Sequence, residues 1–116
     1  MTTFAIGPED RTIYTVAVVS STAATISAIP AVTGQQIRVY KLFLVSSGTA
    51  TITFEDGSTA LAGGIPMTAN GAITLDADGL PWFTTSAGNA FQIANSGSGV
   101  TISGALYYTT TRWVGS

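Results

Sequence analysis

The chain has 116 residues, with 4 Lys+Arg, 6 Asp+Glu, no His and no Cys; charged residues make up 9% of it, against roughly 25% in an average globular protein. Without Cys and His there is no disulfide framework, no Cys or His metal centre, no thiol nucleophile and no imidazole acid–base chemistry. A formal charge of −2, with only four scattered cations, gives no footprint for nucleic acid, and no stretch reaches the 18 or more apolar residues of a membrane span.

Residues 1–11, MTTFAIGPEDR, lack the basic start and apolar run of a leader peptide and read as an N-terminal arm ahead of a single domain, 12–116. Period-2 patterning dominates from there on. The first strand is expected at 12–19, TIYTVAVV, and a weaker one at 25–29, stopped by Pro30. Residues 35–47, QQIRVYKLFLVSS, form the strongest strand. Ile37, Val39, Phe43 and Val45 lie on one of its faces and Tyr40, Leu42 and Leu44 on the other, which predicts a central strand covered on both sides.

Ser47-Gly48 follows and suggests a hairpin into 49–54, where Ala50, Ile52 and Phe54 alternate with Thr49, Thr51 and Thr53. Asp56-Gly57 ends that strand. Short strands are expected at 65–69 and 72–75, then an acidic turn at 76–79. Two more, 82–85 and 90–94, join around Gly88-Asn89; Gly97-Ser98-Gly99 reads as a hairpin turn into the last long strand, 100–108. Residues 109–116 are a tail or an extension of it. Eight or nine short, mainly antiparallel strands make an all-β chain, a single β-sandwich or jelly-roll-like domain.

Few groups on this chain can do chemistry. Asp76 and Asp78 suggest a calcium turn, but the third ligand and the closing Glu of such a loop are missing, and Asp side chains bonding nearby backbone amides explain the pair more simply. Glu55 and Asp56 read as a solvated strand end, or as an ionic contact for a basic partner. Arg38 and Lys41, three residues apart, are expected on opposite faces of their strand. Trp82, Phe83, Tyr107, Tyr108 and Trp113 suit core or interface anchoring better than sugar stacking. No catalytic constellation emerges, so the expectation is a protein that is not an enzyme and needs no cofactor or metal.

The shortage of charge has a physical consequence. A folded monomer of this mass exposes roughly 5,900 Å², so ten charges leave much of the surface to Thr, Ser, Gly and apolar groups. The mean hydropathy is +0.41. Both features point to surface buried against other subunits, and the interface candidates are Phe4, Ile6 and Arg11 in the arm, Arg38 on the central strand, and Tyr108, Arg112 and Trp113 toward the C-terminus.

The runs IRVYKLFLVSSGTATITFEDG, LAGGIPMTANGAITL and PWFTTSAGNAFQIANSGSGVTISGALYY resemble in layout a family of small tailed-bacteriophage virion β-sandwich proteins, over about two-thirds of the chain. The resemblance implies a non-enzymatic capsid decoration or cement protein. It would be made in the host cytoplasm and placed on the capsid surface of the virion as a homotrimer bound to the major capsid protein. The alternative it implies is a tail or fibre attachment module binding a host surface glycan or protein. No catalytic residues come with it.

Overall fold

The computed structural model describes residues 14–76 and 80–112. Ten strands follow in chain order: β1 Thr15–Ser21, β2 Thr25–Ile29, β3 Gln35–Ser46, β4 Ala50–Asp56, β5 Thr59–Ala60, β6 Ile65–Met67, β7 Ala72–Asp76, β8 Phe83–Thr84, β9 Phe91–Asn95 and β10 Ile102–Arg112. The described residues include no helix. The expected strands are all present; the additional one is β5, two residues long and too short for periodicity to reveal. The last strand runs on to Arg112, so the segment after Tyr108 continues the sheet.

The strands form two antiparallel sheets. One has the order β1-β10-β3-β7, with β8 also on β3; the other has the order β2-β9-β4-β5, with β6 also on β4. Setting aside the two-residue strands, the pairs β1/β10, β2/β9, β3/β7 and β4/β6 match first strand with last, second with second-last, and so on inward. The chain is thus one long antiparallel ribbon. Wrapping that ribbon sets β10 beside β3 and β9 beside β4, which is jelly-roll order.

Wrapping explains the turns that sequence misassigns. Ser47-Gly48 is not a hairpin: β3 and β4 lie in different sheets. Both backbone edges of β3 are already used there, by Ile102 opposite Ser46 on one side and Ala72 opposite Val45 on the other, leaving β4 no place beside it. Gly97-Ser98-Gly99 is likewise a corner between sheets, since β9 and β10 do not pair. Each corner is closed by a buried polar side chain. Ser46 Oγ donates to the Gly48 carbonyl at 2.6 Å, while Asn95 donates through Nδ2 to the Val100 carbonyl and accepts the Gly97 N–H on Oδ1, both at 3.0 Å. These bonds satisfy polar groups that would otherwise destabilise the interior. Gly57-Ser58 is a true two-residue hairpin turn between Asp56 and Thr59, and Gly57 takes the positive φ of 61° that such a turn requires.

The core lies between the sheets. Val19, Ile37, Val39, Leu42, Leu44, Ile102 and Leu106 face Ile26, Ile29, Ile52, Phe54, Met67, Phe91 and Ile93. Phe54, Phe83 and Phe91 cluster within it, with ring centres 5.0 to 5.9 Å apart, a spacing that adds aromatic contact to area burial. Phe83 is thus the core member of the Trp82-Phe83 pair, while Trp82 is half exposed.

Candidate interaction face

The outward-facing side of the β1-β10-β3-β7 sheet carries the unusual chemistry. Cross-strand register sets its residues in rows: Val16, Tyr107, Lys41, Asp76; then Val18, Ala105, Phe43, Thr74; then Ser20, Ser103, Val45, Ala72. Val18 is 81% exposed, Val16 49% and Phe43 47%, and Val45 and Tyr107 are exposed as well. The other sheet's outward side is built mainly from hydroxyl and amide groups, with half-buried Glu55 beside Gln92 and Ala94 beside Thr53. Thr25, Ser27 and Thr51 are exposed there, beside half-buried Thr53 and Gln92. The sandwich therefore has one apolar and one hydroxyl-rich face.

This corrects the expectation that β3 is covered on both sides. Two causes produce its doubly apolar sequence. The outer residues Phe43 and Val45 are apolar without being covered by any described element. In addition, the alternation changes phase: Tyr107 lies opposite Lys41 but Tyr108 lies opposite Val39, so Tyr40 has no partner on β10. This is a β-bulge, two residues opposing one. Ile37 and Val39 point inward before it and Leu42 and Leu44 after it.

The bulge also overturns the placement of the two cations. Arg38 and Lys41 lie opposite Thr109 and Tyr107, which share a face of β10, so both cations stand on the outer face. Lys41 Nζ meets Asp76 Oδ1 at 3.5 Å, with side chains 44% and 74% exposed. A pair this wet contributes about 0.2–1 kcal/mol; its larger effect is to leave the centre of the face nearly neutral. Around it lies a shallow hollow of about 400 Å³, lined by Tyr14, Tyr107, Phe43, Thr74, Lys41 and Asp76. The Tyr14 ring packs on Tyr40 with centres 5.2 Å apart.

Of the residues singled out by sequence, Arg38 belongs to this face, half-buried. Tyr108 points the other way and packs against the core. Arg112 is exposed at the far end of β10, opposite Gln35. Phe4, Ile6, Arg11 and Trp113 lie outside the described residues, as do the arm 1–11 and residues 77–79 of the acidic turn. Asp76 is committed to Lys41. Asp56 holds a loop: its Oδ2 accepts the Ser86 N–H and hydroxyl, at 3.0 and 2.9 Å, and its Oδ1 accepts Asn89 Nδ2 at 3.0 Å.

Sequence reading missed Val16, Val18, Phe43, Val45 and Tyr107 as surface residues. The signal was present in the VAVV run of β1, apolar in both phases on what proves to be an edge strand. Among the described residues no group of three or more acidic side chains is placed to hold a metal ion, and no helix is long and apolar enough to cross a membrane. The chain matches no protein family, no curated protein and no solved structure.

Proposed function

We propose that the chain is a structural protein of a bacteriophage particle, a non-enzymatic decoration or cement subunit that works as a homotrimer on the outer surface of the capsid, bound to the major capsid protein. The observation that carries this reading is the contrast between the two outer faces. A subunit that coats a shell turns one side to its neighbours and the other to water. An apolar face whose Lys41–Asp76 pair is internally neutralised, with Arg38 toward one end, suits burial against a neighbour, and a Thr/Ser/Gln face that also carries Glu55 suits contact with water. A rigid, short-looped sandwich fits a part whose task is to hold position.

A second reading, a tail or fibre attachment module that binds a host surface glycan or protein, is supported by the hollow. Tyr14 and Tyr107 supply rings for stacking, and Asp76 and Thr74 supply groups for sugar hydroxyls.

Counting copies by quantitative mass spectrometry of purified particles separates the two. Hundreds of copies per particle support capsid decoration and a handful supports the tail. Absence from particles overturns both.

A further inference from the structure

We infer that the apolar outer face of the β1-β10-β3-β7 sheet is the surface through which copies of this chain bind one another, the β1/β10 half of one copy packing on the β3/β7 half of the next. The inference rests on reading the chain as an assembly subunit, but not on which particle the assembly belongs to.

Three observations carry it. The first is area. The face spans the 7, 11, 12 and 5 residues of β1, β10, β3 and β7, which at about 3.4 Å along each strand and about 4.8 Å between strands cover roughly 570 Å². A ring gives half of this to each neighbour, so a closed trimer removes roughly 1,700 Å² in all, the total of one standard interface shared among three contacts.

The second is charge. Lys41 and Asp76 neutralise each other within one copy. A second copy brings the same neutral pair, so covering this part of the face strands neither charge without its partner, the condition under which buried charge is most costly; Arg38, the other cation of the face, lies farther along β3 opposite Thr109 and Thr84, at the end away from the Val18 row.

The third is shape. The two halves are unlike. The β1/β10 half presents the aliphatic side chains of Val16 and Val18 at its margin, and Val18 stands almost fully proud. The β3/β7 half holds most of the hollow, walled by Phe43, Thr74 and Asp76. A contact between two different patches is heterologous, and heterologous contacts that close make rings. Three copies with these faces turned toward a common axis bury every face and leave the hydroxyl-rich sheets outside.

The test uses the full chain and two single substitutions, Val18→Lys and Ser27→Lys. Both residues are exposed, one on each outer face, so neither change disturbs the core. Sedimentation equilibrium measures association, and far-UV circular dichroism with thermal unfolding confirms folding. The inference expects Val18→Lys to weaken association at least about 30-fold, as loss of an interface anchor does, while Ser27→Lys leaves it unchanged. A monomeric parent chain overturns the inference, as does a Val18→Lys chain that associates as the parent does, or equal loss in both variants. An oligomer that never enters particles overturns only the virion reading; a monomer found in hundreds of copies per particle overturns only this one.

Discussion

Arg38 and Lys41 stand on the same face of one sheet although they are three positions apart on one strand. Regular alternation forbids this, and the unpaired residue Tyr40 permits it. The bulge lets a single strand send Ile37 and Val39 into the core from one half, and Leu42 and Leu44 from the other.

The bulge makes an unusual deletion experiment decisive. Removing Tyr40 joins Val39 directly to Lys41 and leaves a strand that alternates without interruption, every inward residue still inward. We expect the Tyr40 deletion to fold, with a stability loss of no more than about 2 kcal/mol from the lost aromatic contact and altered twist. Removing Phe43 instead makes Leu42 and Leu44 neighbours, and both cannot face the core. Expelling a buried leucine costs about 2–5 kcal/mol, and that chain should fail to unfold cooperatively. Thermal unfolding followed by circular dichroism compares the two. Equal damage from both deletions would contradict the register.

Gly104 is the tightest backbone approach in the sheet. It sits at φ 153°, and a Cβ placed there would run into the Phe43 carbonyl on the neighbouring strand. Because the obstacle is backbone rather than a mobile side chain, it has nowhere to yield. Gly104→Ala should cost at least about 3 kcal/mol, combining strain and overpacking, measured by urea unfolding. A loss under about 1 kcal/mol would mean that β3 and β10 can separate locally at this point.

Asp56 ties the β4 end to the 86–89 turn by three hydrogen bonds. Asp56→Ala removes a charged acceptor from all three donors and should destabilise the fold by about 1.5–3 kcal/mol. Asn89→Ala leaves Oδ2 engaged and should cost less than half as much. If the two variants unfold at the same denaturant concentration, the carboxylate is not the centre of that clasp.

These cases show what was legible in the sequence. Strand positions were, because period-2 patterning and the breakers Pro30, Gly57 and Gly88 mark them locally. The arrangement of strands was not. Ser47-Gly48 has the composition of a hairpin, and only the occupancy of both edges of β3 by distant strands turns it into a corner. The outer face was hidden for a related reason. An apolar residue such as Phe43 or Val18 reads as core until the fold shows which side of its sheet has a covering layer. The paired cations were hidden by one inserted residue, since Tyr40 looks like any other strand position. What did carry through was the charge count: a chain this poor in charge leaves an apolar face open, and the structure locates it.

The central claim is that this face is covered in the assembled protein, and the absence of cysteine allows a direct measurement. A single thiol is introduced at Val18→Cys or at Ser27→Cys, and its alkylation rate is measured on the intact assembly and in denaturant. In one copy alone Val18 is 81% exposed and its thiol would react freely. The account predicts that in the assembly the thiol at position 18 reacts at least about tenfold more slowly than the one at position 27, with the two equal once unfolded. Equal rates in the native protein would contradict it.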